Sequence, residues 1–402
     1  MRILHVISTM APSSGGPTAV MAALLAAQVH DGLEVALCTT DCDNPPSNRR
    51  DVASVRDRLA PGIAAHVFPT EMSSLLISRA LRQWLRQNID DFDLVHVHGL
   101  YRFPPTYAAN LARRCRVPCV IRPHGNLDPF LYRQSSRSVP LKRLWELWFD
   151  LPNLHGASAI HFTSEDERER ASFLKLRAPS FVVPNGLDWA RFASLPARGA
   201  FRAQLGIGEA PLVLFLSRLN FKKGLDLLVP AFAKVRARYP GAVLAIVGPD
   251  NEGYGAKVHG WVAEHGLQDC THFVEHLSGE AVLQAYVDAD VFALPSYTEN
   301  FGMVVAESLA CGTPVVISDQ VNIHGEVAAA GGGLVTRCDA DEVAEALCTL
   351  LADAGRRTAM GAAGRALVQR KWTWDVVASQ LTAEYEKIIT RARSVQPTRK
   401  QP

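Results

Sequence analysis

Short apolar runs alternate with helix-period stretches along almost the whole chain, and no other feature limits the fold as tightly. Runs that read as strands fall at Ile3–Ile7, Glu34–Cys38, Leu94–Val97, Cys119–Arg122 and Ala159–Phe162. A second series follows at Val213–Leu216, Val243–Val247, Thr271–Val274, Val291–Leu294 and Val315–Ile317. Helical patterns lie between them, as at Leu225–Arg238 and Ala281–Val287. Strands separated by helices pair as parallel sheets, with the helices packed on the sheet faces. The expectation is an α/β chain with two Rossmann-like domains, one per series. The boundary is expected in Asn185–Pro211, a stretch rich in Gly, Pro, Ala and Arg with little period. The domains predicted are residues 1–190 and 191–373, followed by a last helix over Trp374–Ile389 within residues 374–393. Ser394–Pro402 is polar, carries two prolines and reads as a disordered tail.

Composition excludes several classes. The chain has 402 residues, 48% hydrophobic and 20% charged, which is ordinary for a globular protein. A net charge of +2 gives no global signal for a polyanionic partner, and no nucleic acid is expected. No apolar run is long enough to span a bilayer. The opening MRILHVIS reads as a first strand, because a secretory signal needs a longer apolar core and a small-residue cleavage site. The eight cysteines are scattered. The pairs Cys38/Cys42 and Cys115/Cys119 lack zinc-knuckle spacing, so reduced structural thiols and a cytoplasmic setting are expected.

In open α/β sheets, ligands bind beyond the carboxyl ends of the strands, so informative residues should follow strands. After the first strand, Gly15-Gly16 precedes Pro17, a residue suited to a first helical turn. Bare backbone at a helix N-terminus makes an anion site. The same residues also read as a flexible turn. They do not match GxGxxG, which counts against a dinucleotide oxidoreductase. After the first strand of the second half comes SRLNFKKG, Ser217–Gly224, with Arg218, Lys222 and Lys223. Arginine grips a diphosphate through two nitrogens, and lysine meets it as a point charge. The alternative is a solvated basic loop.

The most informative stretch is SYTENFGMVVAESLACGTPV, Ser296–Val315. It puts Glu299 in a loop after a strand. Gly302 permits a tight turn into a helix running to about Ala310, which Gly312 ends. Glu307 then lies about one and a half turns into an apolar helix. Burying an ionised carboxylate without partners is costly, so Glu307 must meet donors. Either a neighbouring protein group or the two hydroxyls of a ribose would serve.

In the first half, RPHGNLD places His124 directly after a strand and before Gly125. His96 and His98, in DLVHVHG, share one face of a strand. With no third ligand evident nearby, strand packing or cleft lining is expected rather than metal. Pairs of the form DxD occur at Asp41–Asp43, Asp91–Asp93 and Asp288–Asp290. The last two lead into strands, away from the ligand edge, and no metal site is expected.

Taken together, these residues resemble glycosyltransferase family 4, retaining sugar-nucleotide-dependent enzymes of the GT-B fold. The resemblance runs from Met1 to about Ile389. It is carried by Glu299 and Glu307 in an E-x7-E pattern, with FG after the first and CGTPVV after the second. SRL…KKG, the PHG around His124, NGLD at Asn185–Asp188 and Gly15-Gly16 support it. The resemblance implies two Rossmann-like domains facing a central cleft, with the last helix crossing back to the N-terminal, acceptor domain. The C-terminal domain would bind a UDP- or GDP-sugar, with no separate cofactor. Arg218 and Lys223 would hold the diphosphate, and Glu307 the ribose. Glu299 would face the transferred sugar, and amides at Asn300, Phe301, Gly302, Met303 and Val304 would contact the donor. Gly15 and Gly16 would approach the phosphate, and His124 would lie near the sugar. A hexosyl group would pass with retention to a glycan or lipid-linked saccharide in surface polysaccharide assembly, without metal.

Retaining glycosidases use a carboxylate nucleophile and a separate acid–base. No residue clearly supplies that nucleophile here. A same-face displacement is the usual proposal for the family, with charge stabilisation of the departing diphosphate as the protein's main work. On the acceptor side, nine basic residues lie between Tyr101 and Arg143, including Arg113, Arg114, Arg116, Arg133, Arg137 and Lys142, against the single acid Asp128. SVPLKRLWELWFDLP follows, with Leu141, Leu144, Trp145, Trp148 and Phe149 at helical spacing. It reads either as a core helix with a solvated basic face or as a peripheral contact with an anionic membrane. Two other functions fit the same pattern: a sugar-nucleotide epimerase, and a degenerate binding scaffold.

Overall fold

The computed structural model describes residues 1–11, 16–42, 55–133 and 139–395. They form two compact units, Met1–Gly186 with Trp374–Pro402, and Leu187–Thr373. Unit 1 is built on seven parallel strands: β1 (Arg2–Thr9), β2 (Glu34–Thr40), β3 (Ala64–Phe68), β4 (Leu94–His98), β5 (Cys119–Arg122), β6 (Ala159–Phe162) and β7 (Ser180–Val182). Their order is β3-β2-β1-β4-β5-β6-β7. Ile3 of β1 pairs with Val35 on one side and Leu94 on the other. The central strands are covered on both faces, which is why they read as near-continuous apolar runs. All five residues of β4 are buried. The helix Trp374–Val395 belongs to this unit, where Tyr385 is fully buried and Thr382 donates to Asp31 at 2.6 Å.

Unit 2 has six parallel strands: β8 (Leu212–Leu216), β9 (Val243–Val247), β10 (Thr271–Val274), β11 (Val291–Leu294), β12 (Val315–Ser318) and β13 (Gly333–Thr336). Their order is β10-β9-β8-β11-β12-β13. One apolar core spans the unit and includes Leu187, whose amide donates to Trp372 O at 2.7 Å. In both sheets the strand order reverses beside the first strand, between β1 and β4 and between β8 and β11. Crevices at such switch points are where open α/β sheets bind ligands.

The strands β3, β7 and β13 are not among those expected from the apolar pattern. All three stand at sheet edges, where only one neighbour pairs and part of each strand meets solvent. Their side chains therefore need not form an apolar run. The last helix also runs further than expected. Ser394 and Val395 are helical rather than part of a tail, and residues 396–402 lie outside the described residues.

Candidate active site

The switch point of unit 2 gathers two of the predicted loops. The Ser217–Gly224 loop leaves β8, and the Glu299 loop leaves β11. Lys223 Nζ and Glu299 Oε2 form an ion pair, both half-buried. Gly224 sits at φ 70°, and a Cβ there would meet Pro295 O at 2.0 Å. Only glycine lets the two loops close this tightly. Tyr297 adds two ties: its amide donates to Lys222 O at 2.8 Å, and its hydroxyl donates to Asp226 Oδ2 at 2.8 Å. Glu299 is also fixed through its backbone, donating to Gln320 O at 3.1 Å and accepting from Asn322 N at 3.0 Å. Arg218 is exposed and makes no ion pair among the described residues.

Gly302, at φ 76°, caps the helix Met303–Ala310. The first helix amides to find an acceptor are Val305 and Ala306, both on Gly302 O. Those of Met303 and Val304 remain available as donors at a helix N-terminus. Asn300 presents a buried Oδ1 with no partner among the described residues. Phe301 is different: its ring is core, stacked edge-on with Trp372 at 5.4 Å, so only its backbone can serve a ligand. Glu307 projects from the same helix, where its Oε2 accepts from the Tyr286 hydroxyl at 3.1 Å. Burial raises its pKa, opposed by that hydrogen bond and by the charge of Arg191. The structure thus joins Lys223 to Glu299 directly, while Glu307 contacts neither of them among the described hydrogen bonds and ion pairs.

In unit 1, Gly15 lies outside the described residues, and Gly16 opens the helix Gly16–His30. His124 follows β5 at φ 54°, a left-handed conformation costly for a non-glycine residue. The next turn is pinned: Gly125 N donates to Glu167 Oε1 at 2.8 Å, and Glu167 also accepts from Thr163 N and Oγ1 at 2.7 and 2.8 Å. Arg122 is buried at the end of β5 and pairs with Asn185 Oδ1, joining the RPHG and NGLD motifs. Burial, then the charge of Arg122, holds His124 well below the usual histidine range.

The expectation that His96 and His98 lack a third ligand is corrected by the sheet register. His5 of β1 pairs with His96 of β4, and potential ligand nitrogens of His5, His96 and His98 all lie within 4.8 Å of one another. A residue 91 positions away arrives beside His96 by strand pairing, which no local spacing reveals. Two DxD segments prove structural. Asp288 and Asp290 hold the buried Arg202, through Arg202 N to Asp288 Oδ2 at 2.9 Å and Arg202 Nη2 to Asp290 Oδ2 at 2.7 Å. Asp93 accepts from Arg2 N at 2.9 Å. Asp43 lies outside the described residues, while Asp41 accepts from Thr70 N and Oγ1, each at 3.0 Å.

A cavity of about 630 Å³, lined by Arg113, Arg116, Lys387 and Arg391 among others, opens where Val117 and Ser158 lead into β5 and β6. That is the sheet edge opposite His124, so volume alone does not mark the chemistry. The segment Val139–Asp150 departs from a core helix. A π-helical turn over Glu146–Asp150 turns the two acids inward, where Glu146 accepts from Tyr132 at 2.6 Å and Asp150 from Thr106 at 2.6 Å. Leu144, Leu147, Trp148 and Phe149 are left exposed, Trp148 by 68%.

Comparison with known proteins bears on these loops. Residues 15–186 match the family described as Glycosyl transferase 4-like domain, and residues 197–367 match Glycosyl transferases group 1. D-inositol 3-phosphate glycosyltransferase of Nocardia farcinica is 30% identical over 311 residues, 75% of this chain and 67% of that protein. The chain belongs to the group 1 glycosyltransferase family. A second member, the GDP-mannose-dependent alpha-(1-6)-phosphatidylinositol monomannoside mannosyltransferase of Mycobacterium tuberculosis, is 36% identical over 238 residues. That match covers 56% of this glycosyltransferase-family chain and 61% of the relative, under two thirds of its length. The fold is GT-B. The crystal structure of Anabaena HepE in complex with UDP and glucose aligns at TM-score 0.73 and 20% identity, covering 96% of this chain and all of that one. Sucrose-phosphate synthase from Thermosynechococcus elongatus aligns at TM-score 0.73 and 24% identity, covering 97% and 100%.

Proposed function

We propose that this family member is a retaining hexosyltransferase. It takes the hexosyl group of a nucleoside-diphosphate sugar and passes it to a lipid-linked saccharide in surface glycan assembly. The Lys223–Glu299 pair at the unit 2 switch point carries the reading. In the free protein each side chain neutralises the other. A donor exchanges both partners: its diphosphate takes Lys223 and draws in Arg218, and a hydroxyl of its sugar takes Glu299. The amides of Met303 and Val304 give further donors, and Glu307 exchanges Tyr286 for the ribose hydroxyls. As the glycosidic bond breaks, charge grows on the leaving diphosphate, where the two basic side chains stabilise it. The leaving phosphate takes the acceptor's proton on the same face, which gives retention without a protein nucleophile. No step in this scheme calls on a metal ion.

UDP and GDP are the donor bases considered, since one relative is named for GDP-mannose and one structural neighbour holds UDP. The exposed apolar surface over Leu144–Phe149, flanked by exposed Lys142 and Arg143, suits an acceptor held at an anionic membrane on its cytoplasmic face. The test is thermal stabilisation by UDP, GDP, ADP, TDP and their sugars, on wild type and Glu307→Ala. Ligand at about 100 times its dissociation constant adds about 2.7 kcal/mol. One nucleotide should shift the wild type and lose that shift in the variant. Stabilisation by none of them would leave Glu307 a structural carboxylate and favour the scaffold reading.

A further inference from the structure

Eight polar groups of unit 1 make two hydrogen-bonded runs, from Val183 through His161, His96 and Tyr385 to Gln28 and from His5 through His98 to His124. Pairing Gln28 with His5 joins them into a single file whose donors all have a direction. Val183 O can only accept. His161 Nε2 lies 2.8 Å from it, so Nε2 carries the proton. Burial keeps this ring neutral, which makes Nδ1 an acceptor. His96 Nε2, 3.3 Å away, therefore donates to it. His96 is neutral for the same reason, and its Nδ1 accepts from the Tyr385 hydroxyl at 2.6 Å. With its proton committed, Tyr385 accepts from Gln28 Nε2 at 3.2 Å. This fixes the amide, with nitrogen toward Tyr385 and Oε1 turned the other way.

Gln28 Oε1 and His5 Nε2 are each buried and have no hydrogen-bond partner among the described residues. One accepts and the other can donate, and Gln28 is the side chain that bears on the His5 ring, so both atoms are satisfied when His5 Nε2 donates to Gln28 Oε1. With the His5 proton on Nε2, Nδ1 accepts from His98 Nε2 at 3.0 Å. His98 Nδ1 then accepts from His124 Nε2 at 3.2 Å.

We infer that this file sets the tautomer of His124, with Nε2 protonated toward His98 and Nδ1 left as a bare acceptor. A bare acceptor takes a hydroxyl proton and repels a phosphate oxygen, so His124 recognises a saccharide O–H. Gln28, Tyr385 and His5 are positioning residues that act through the intervening rings. The use of Nδ1 rests on the glycosyl-transfer reading, but the tautomer does not. A metal on His5, His96 and His98 is the competing occupant. It would break links of the file and set a dication beside the buried Arg122 guanidinium, whose charge already bears on these rings.

The test is a long-range 1H–15N spectrum of the full chain labelled at histidine, with His124 assigned by its loss in His124→Asn. Wild type should show one neutral His124 tautomer, protonated at Nε2. Gln28→Met removes the acceptor for His5 at similar volume, and Tyr385→Phe frees the amide to turn. Each should bring in the Nδ1-protonated form of His124. Wild-type His124 protonated at Nδ1, or signals unchanged in both variants, would overturn the inference. So would stoichiometric zinc bound through His5 and His98. No arm depends on turnover, so the wild-type spectrum answers even if the proposed activity is wrong.

Discussion

The Lys223–Glu299 contact holds two loops together, and the proposed function gives the same pair a chemical role. Their pairing closes the β8 and β11 loops together in the free protein, and the same two charges are what a nucleotide sugar would engage. Removing Lys223 should act on the leaving group more than on binding. Lys223→Ala and Arg218→Ala are each expected to lower kcat by about 10²–10³-fold, the size of losing one preorganised oxyanion donor. Initial rates at saturating donor check this, and wild-type turnover in both variants would remove the assignment. Gly224 is constrained by geometry instead. Its φ is positive, and Pro295 O lies 2.0 Å from where a Cβ would stand, which leaves no room for a side chain. Gly224→Ala should cost roughly 2–4 kcal/mol in denaturant unfolding. A change below about 0.5 kcal/mol would mean the loops can part without penalty.

At the scale of elements, the Val139–Asp150 segment reverses the usual rule. Its acids face inward to Tyr132 and Thr106, and its apolar side chains face out. Spacing alone shows that Leu144 and Trp148 share a face, but not whether that face meets the core or solvent. The inward acids decide it, because the hydroxyls that satisfy them lie on other elements. Among the described residues, no helix is long and apolar enough to cross a membrane, so any membrane contact by a helix described here would be at the surface. Replacing Leu144 and Trp148 together by serine should abolish sedimentation with anionic vesicles at low salt. Because both are exposed, the melting temperature should stay within about 2 °C of wild type. Undiminished vesicle binding by the variant would place any membrane contact elsewhere.

For the whole molecule, the buried histidines dominate the response to acid. His5, His96, His98, His124 and His161 are all held below their ordinary range, with burial the largest cause. His5 falls to about 3. A depressed pKa means that the folded state resists protonation while the unfolded chain accepts it. Their stabilisation is thus fully present above the unfolded value of about 6.5 and is lost as pH falls below it. Each proton contributes a slope of about 1.4 kcal/mol per pH unit, so five give up to about 7 kcal/mol per unit. Asp150, raised to about 6 by burial, and Glu167 and Glu307, also raised by burial, work in the opposite sense, but they are three protons against five. Urea unfolding from pH 7.5 to 5 should show stability dropping steeply below pH 6.5. A flat profile would mean that the file opens to water without unfolding.

Two α/β domains, ten of the thirteen strands among the described residues, and the loops holding Glu299, Arg218, Lys223 and His124 were legible in the sequence. These are local properties: an apolar run between helices is a buried parallel strand, and residues just after it reach the ligand edge. The edge strands β3, β7 and β13 were not legible, because a strand paired on one side does not need a continuous apolar run. Nor were the partners. Glu299 finds Lys223, Glu307 finds Tyr286, Arg122 finds Asn185, and His5 finds His96 only once strand order and register are fixed. Sequence determined which chemical groups the candidate site contains. Tertiary structure decided which of them meet, because hydrogen bonds and ion pairs depend on distances that the pairing of remote strands creates.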